Sequence, residues 1–226
     1  MAEKLPIAVL ISGTGRTLKN LIDRVEAGEL DVDIRLVVSS SERALGLQYA
    51  DQNNIPIAIV KSSEFKTKEE FSEAVFDACR KAKVKYVAMA GYLKLLAIPD
   101  DFANRVLNIH PSLIPSFCGE NYYGRRVHDA AIRRGVKYSG ATVHFVDNEY
   151  DHGPILMQEI VPVYDYDTVD TLSDRVLYDA EFVVYPKALQ ALAEQRVEFV
   201  EERDSFRVRV NEPTKTDGAE PDDDLE

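Results

Sequence analysis

The sequence predicts an α/β protein with an open, mostly parallel sheet, helices on both faces and an appended antiparallel hairpin. In the first hundred residues, short apolar runs alternate with stretches of helical periodicity, a pattern typical of a parallel sheet covered on both faces. Further along, two strand-like runs are separated by a stretch of turn residues, which indicates a hairpin. Together these patterns predict a Rossmann-like architecture.

The first half begins with a strand, a glycine turn and a helix. Residues 7–11 form an apolar run that ends in Gly13-Thr14-Gly15, and apolar residues then recur at helical spacing from residue 18 to residue 25. The same reasoning predicts further strands over residues 34–39, 57–60 and 86–90, and further helices over residues 44–53 and 68–83.

The second half is less regular. A strand is predicted over residues 106–110, where Pro111 stops it, and a helix over residues 127–134. The hairpin strands are predicted over residues 140–146 and 155–163. A long helical period covers residues 168–194, and Pro186 is expected to kink or divide that helix.

Composition limits the class of protein. The 226-residue chain carries a formal net charge of −12, which argues against a nucleic-acid partner because phosphate backbones require a dense positive surface. No apolar run is long enough for a membrane span, and no secretory signal is visible, so we expect no membrane partner and a cytoplasmic location. Cys79 and Cys118 lack the CxxC spacing and are predicted to be free thiols.

The chain is predicted to form a single domain over residues 1–210, with one half over residues 1–100 and the other over residues 101–210. From residue 211 onward the sequence is acidic and almost without apolar side chains, so it cannot bury enough surface to order itself. Residues 211–226 are therefore predicted to be a disordered tail, and the domain is expected to be a monomer or a homodimer.

The glycine turn is a candidate anion site. Gly13 and Gly15 leave backbone N–H groups free at the start of a helix, where the helix dipole favours a phosphate. The turn is not a dinucleotide fingerprint, because Leu18 occupies the third glycine position and serines follow the second strand. A tight turn without a ligand is the alternative interpretation.

Asn108 and His110 lie two residues apart on a predicted strand, so their side chains leave the same face at its carboxyl end. An amide donor and an imidazole suit acyl transfer, since one stabilises an oxyanion and the other shuttles a proton. Asp151 could supply a carboxylate that orients the imidazole and raises its pKa, although an aspartate in a turn is the commoner interpretation of this context taken alone. His144 alternates with apolar neighbours and is predicted to be a hydrogen-bonded structural histidine. The four histidines lack metal-ligand spacing, so no metal is expected.

Five segments together resemble the glycinamide ribonucleotide formyltransferase family, with similarity over about residues 7–197. They read VLISGTG, AGYLKLL, LNIHPSLIP, TVHFV and DHGP and begin at residues 9, 90, 107, 142 and 151. The resemblance implies the formyltransferase fold, with a phosphate-binding first half and a folate-binding, catalytic second half. It also implies small-molecule substrates, glycinamide ribonucleotide and 10-formyltetrahydrofolate, the latter consumed as a cosubstrate.

The resemblance also implies roles for individual residues. Asn108, His110 and Asp151 form the catalytic trio. Substrate phosphate is held at Gly13, Gly15, Arg16 and Thr17, and the glycinamide end meets Glu181. The folate contacts are Lys68, Leu93, Lys94, Leu95, Leu96 and Asn108. The family often has Ser-Asn where this chain has Arg16-Thr17, so the side chains on the phosphate stay open. Residues 117–124 are similar to a longer loop of some bacterial members and are expected to close over the site.

Three alternatives stay open. Formyltetrahydrofolate hydrolases share the Asn, His and Asp trio but carry an extra N-terminal domain, whereas here the first strand begins at Ile7. Methionyl-tRNA and sugar-nucleotide formyltransferases are related but carry an additional C-terminal domain. In a different class, a non-enzymatic nucleotide-binding module would use only the turn at Gly13 to Gly15 and would need neither Asn108 nor His110.

Overall fold

A seven-stranded sheet runs through the computed structural model, which describes residues 4–202 and 205–213. Its strands are β1 (Leu5–Ile11), β2 (Val32–Ser39), β3 (Ile57–Ile59), β4 (Tyr86–Met89), β5 (Val106–His110), β6 (Tyr138–Phe145) and β7 (Ile155–Pro162). Their spatial order is β3-β2-β1-β4-β5-β6-β7, with parallel pairing from β3 to β5 and antiparallel pairing of β6 and β7. The predicted parallel sheet with an appended hairpin is confirmed.

Helices cover both faces of this sheet. They are α1 (Arg16–Glu26), α2 (Leu47–Gln52), α3 (Lys68–Lys81), α4 (Arg125–Arg134), α5 (Val169–Arg175) and α6 (Phe182–Ala193). Alternate residues of β1 belong to two apolar clusters, because successive side chains of a strand point to opposite faces. One cluster contains α1 and α6, and the other contains α3. In the described part of the chain, no helix has the length and apolarity needed to span a membrane.

Pro186, expected to kink or divide the helix predicted over residues 168–194, does not divide it. Pro186 lies inside α6, and a π-helical segment, Val176–Glu181, separates α6 from α5. Proline lacks the N–H that would bond the carbonyl four residues earlier, that of Phe182. Asn20 and Arg24 of α1 donate to this carbonyl instead, each at 3.2 Å. The helix continues because neighbouring side chains replace its missing hydrogen bond.

A second hairpin, which the sequence patterns did not reveal, follows α6. It consists of β8 (Val197–Glu202) and β9 (Ser205–Val210), paired with each other in a separate sheet. The ring of Phe199 packs against the buried ring of Phe145, with centroids 4.7 Å apart. The hairpin thus covers the end of the domain beside β6. Residues 214–226, most of the predicted acidic tail, lie outside the described residues.

Gly140 allows β6 and β7 to approach closely. A Cβ atom on Gly140 would lie 2.0 Å from the backbone oxygen of Glu159, so Gly140→Ala must push the strands apart. We expect the variant to lose about 1–3 kcal/mol of stability, the usual cost of overpacking, in urea or thermal unfolding. Ser139→Ala on the same strand is the control, because this buried hydroxyl has no hydrogen-bond partner among the described residues. Equal stability of the two variants would contradict the prediction.

Candidate active site

A cavity of about 610 Å³ opens where β1, β4 and β5 end. Its wall contains the turn at residues 13–17, residues 89–96 after β4, the end of β5, and loop residues 119–124 and 149–151. Ser173, Leu177 and Glu181 close the side formed by α5 and the π-helical segment. The cavity therefore lies at the carboxyl edge of the parallel strands, where open α/β sheets bind ligands.

Asn108 and His110 leave the same face of β5, as their spacing predicted, and both line the cavity. Their partners across the sheet are His144 and Thr142 of β6, in antiparallel register. Side chains of directly opposed residues lie on the same side of a sheet. The strand pairing therefore places an amide, a hydroxyl and two imidazoles on one small area of the sheet.

Asp151 completes this cluster from the loop between β6 and β7. Its Oδ2 lies 3.3 Å from Nδ1 of His110, and its Oδ1 lies 3.5 Å from Nδ2 of Asn108. The backbone N–H of Gly119 donates to the same carboxylate at 2.9 Å. The side chains of His110 and Asp151 are only 4% and 12% exposed. The structure thus brings together the three residues that the sequence analysis selected.

His144 also belongs to the cluster. Its Nδ1 lies 2.9 Å from the carbonyl oxygen of Phe145, so Nδ1 carries the proton. In the neutral ring Nε2 then accepts, and it lies 3.2 Å from Nδ2 of Asn108. His144 is hydrogen-bonded, as predicted, but its partner is the candidate oxyanion donor. Nδ2 of Asn108 thus lies within 3.5 Å of both His144 and Asp151, and these contacts hold the amide in the cavity wall.

The electrostatic balance at His110 differs from what the sequence suggested. We expected Asp151 to raise the pKa of His110, but burial is the larger influence and lowers this pKa below its ordinary value. Asp151 and the carbonyl of Phe117, 2.9 Å from Nε2, both act in the opposite direction. The carboxylate does raise the pKa of His110, as expected, but the net shift of this pKa is downward, and the expected rise is wrong.

The carboxyl of Asp151 stays ionised in this environment. Burial is the largest single influence and raises its pKa, but the neighbouring imidazoles of His144 and His110 and the backbone N–H of Gly119 together lower the pKa below its ordinary value. The cluster therefore contains a carboxylate beside an imidazole whose pKa is lowered by burial.

The glycine turn lies at the opposite end of the cavity. Gly15 has a φ of +70° and precedes the first residue of α1. A Cβ on Gly15 would lie 2.5 Å from Cα of Gly46, so only glycine fits at this contact. Gly13, Arg16 and Thr17 also line the cavity, and Arg16 lies 3.6 Å from Asp174. The turn presents backbone N–H groups at a helix start, which suits an anion.

Glu181 ends the π-helical segment in the cavity wall. Burial raises its pKa to about 7, and the charge of Arg16 partly opposes that rise. Near neutral pH this carboxyl group is therefore partly protonated, and it can both donate and accept hydrogen bonds.

The remaining predicted residues divide into two groups. Leu93, Lys94, Leu95 and Leu96 line the cavity near Asn108. Lys68, the first residue of α3, is not among the described residues that line it.

The sequence analysis missed His128 of α4, which is buried in the cavity wall and whose pKa is lowered to about 4, chiefly by burial. Its position beside Val127 and Ala131 on the buried face of α4 was the sequence signal that could have indicated a buried histidine. Among the described residues, no cluster of three or more His, Cys, Asp or Glu side chains is arranged to hold a metal ion.

The comparisons with known proteins agree with this geometry. The sequence matches the formyl transferase family over residues 5–189, and the chain belongs to that family. Within it, the chain is 38% identical over 193 residues to "Phosphoribosylglycinamide formyltransferase, chloroplastic" of Vigna unguiculata, covering 84% of this chain but only 62% of that relative. The crystal structure of glycinamide ribonucleotide transformylase 1 from Symbiobacterium toebii matches with a TM-score of 0.85 and 34% identity, covering 94% of this chain and 96% of that one.

A relative named for a different reaction is also similar. The crystal structure of a formyltetrahydrofolate deformylase from Pseudomonas syringae pv. tomato matches with a TM-score of 0.79 and 30% identity. The match covers 93% of this chain and 67% of that one.

Proposed function

We propose that this protein transfers the formyl group of 10-formyltetrahydrofolate to the amine of glycinamide ribonucleotide, a step of purine biosynthesis. The observation that carries the proposal is the cluster of Asn108, His110 and Asp151 in a cavity that the glycine turn and the leucine-rich, apolar wall at residues 93–96 also line. The turn suits the phosphate of the ribonucleotide, and the apolar wall suits a pterin ring.

In the proposed reaction, the amine nitrogen attacks the formyl carbon, a nitrogen–carbon bond forms, and an electron pair moves onto the formyl oxygen. The amide of Asn108 donates to this oxyanion, and the positive charge of protonated His110, whose ring nitrogens face Asp151 and the Phe117 carbonyl, stabilises it. The bond from carbon to the folate nitrogen then breaks, and a proton from the amine ends on that nitrogen. Asp151, close to Nδ1, favours the protonated imidazole as negative charge develops on the oxygen.

The test is tetrahydrofolate formation from 10-formyltetrahydrofolate with and without glycinamide ribonucleotide, with mass spectrometry of the ribonucleotide. The proposal expects tetrahydrofolate only when the ribonucleotide is present, together with a ribonucleotide one formyl group heavier. Tetrahydrofolate and formate released at the same rate without the ribonucleotide would instead identify a hydrolase, the second candidate, which the similar deformylase supports. Ribonucleotide binding without any formyl transfer or release would leave a nucleotide-binding module.

Gly46 offers a test of the phosphate turn. A Cβ on Gly46 would lie 2.7 Å from Cα of Gly15, so Gly46→Ala must shift the turn. We expect the KM for glycinamide ribonucleotide to rise about tenfold or more, since a displacement costing about 1.4 kcal/mol weakens binding tenfold. The kcat should change little, because the catalytic cluster lies at the other end of the cavity. Leu45→Ala, at an exposed neighbouring position, is the control. A KM equal to that of the control would contradict phosphate binding at the turn.

A further inference from the structure

We propose that Thr142 and Gln158 are positioning residues, which hold the loop of residues 112–119 against His110 and Asp151 and so set the geometry of the catalytic cluster. The inference rests on the proposed catalytic role of His110. Neither Thr142 nor Gln158 is among the described residues that line the cavity, so any effect on catalysis must pass through this loop.

Thr142 is the centre of a small polar network. It is fully buried on β6, directly opposite His110 of β5. Its Oγ1 donates to the carbonyl of Ser112 at 2.7 Å and accepts from the N–H of Ile114 at 3.1 Å. The hydroxyl is therefore bonded to the loop twice, once as donor and once as acceptor.

Gln158, on the neighbouring strand β7, adds a second connection to the same loop. Its Nε2 donates to Oγ1 of Thr142 at 2.9 Å and to the carbonyl of Ile114 at 3.1 Å. The strand register places Gln158 opposite Thr142, so the amide reaches the hydroxyl across the sheet. Two strands thus hold the beginning of the loop through side chains rather than through backbone pairing.

From this fixed beginning the loop turns back to the catalytic cluster. The buried hydroxyl of Ser112 donates to the carbonyl of Ser116 at 2.5 Å. The next residue, Phe117, adopts a φ of +49° and brings its carbonyl oxygen 2.9 Å from Nε2 of His110. Two residues later, the N–H of Gly119 bonds Asp151 at 2.9 Å. One short loop therefore contacts both members of the His–Asp pair.

These contacts have an electrostatic consequence. The carbonyl of Phe117 favours the protonated form of His110 and raises its pKa, against the larger effect of burial. If the Phe117 carbonyl shifts from Nε2 while the ring stays buried, this contribution is lost and the pKa of His110 falls further. A catalytic imidazole that is displaced or holds its proton less well slows the reaction without weakening substrate binding to the same degree.

The main variant is Thr142→Val, which keeps the shape of the side chain and removes the hydroxyl. We expect kcat to fall about ten- to a hundredfold, as small displacements of catalytic groups do, while both KM values stay within about twofold. NMR titration should show a lower pKa of His110 than in the wild type. Thr142→Ser restores the hydroxyl and should restore both values.

Two further variants keep the proposal falsifiable. Gln158 is an exposed residue of the edge strand β7, so the Gln158→Met variant should fold normally. It should lower the pKa of His110 as Thr142→Val does, but by a smaller amount. Ser139→Ala removes a buried hydroxyl from the same strand as Thr142, one without a hydrogen-bond partner in the described part of the chain, and should leave kcat and the pKa of His110 unchanged. The proposal is overturned if folded Thr142→Val and Gln158→Met keep the wild-type pKa of His110. Because the titration needs no substrate, it remains valid even if the proposed formyl transfer fails its own assay.

Discussion

Asn108→Ala is expected to lower kcat for formyl transfer about 10²- to 10³-fold, the usual cost of removing one oxyanion donor. The structure gives the reason: Nδ2 of Asn108 lies within 3.5 Å of His144 and Asp151, so the amide is held in orientation in the cavity wall, where it can donate to a developing oxyanion. Binding of glycinamide ribonucleotide should be almost unchanged, because the phosphate turn lies at the far end of the cavity.

The measurement is steady-state kinetics combined with calorimetric binding of the ribonucleotide. Asn53→Ala is a suitable control, because the Asn53 amide bonds the carbonyl of Tyr49 and is not among the described cavity residues. If Asn108→Ala kept nearly full activity, we would abandon both the oxyanion role and the assignment of the reaction.

The second large effect is expected for Asp151→Asn, which removes the charge and keeps the shape. Asp151 has a φ of +52°, a conformation that asparagine also tolerates, so the loop should keep its path. We expect kcat to fall about 10²- to 10⁴-fold, as when a His-based site loses its carboxylate.

The pH dependence follows from the direction of each pKa. The carboxylate raises the pKa of His110 against the larger effect of burial, so its removal should lower this pKa further. The protonated imidazole is then lost at lower pH, and the limb of the kcat profile that requires it moves toward acid. In the wild type, activity should also fall on the acid side when Asp151, whose pKa is lowered, becomes protonated. This second limb should be absent from Asp151→Asn.

NMR titration of His110 in both proteins decides the matter. Asp147→Asn is the matched control, because Asp147 lies in the same loop and pairs with exposed His152 at 2.7 Å. Its removal should lower the pKa of His152, which this pair raises, and leave His110 unaffected. An unchanged His110 pKa in Asp151→Asn would make Asp151 a turn residue only, and the catalytic trio would be given up.

Features encoded by residues close together in the chain were predictable from the sequence. The alternation of apolar runs and helical periods predicted the parallel sheet, and the two-residue period of a strand put Asn108 and His110 on one face. The glycine turn was equally readable, because Gly13 and Gly15 stand between a strand and a helix.

Other features depend on segments that are distant in the chain, and only the tertiary structure decided them. The amide of Asn108 meets His144 because β5 and β6 pair in one register, and Phe117 contacts His110 because Thr142 and Gln158 hold the intervening loop. Pro186 stays inside a helix because α1 supplies the missing donors. The net pKa direction at His110 depends on burial by the whole fold, which a local pattern does not encode. The sequence by itself determined that Asn108 and His110 share one face of a strand, and long-range packing determined which partners they meet and how His110 holds its proton.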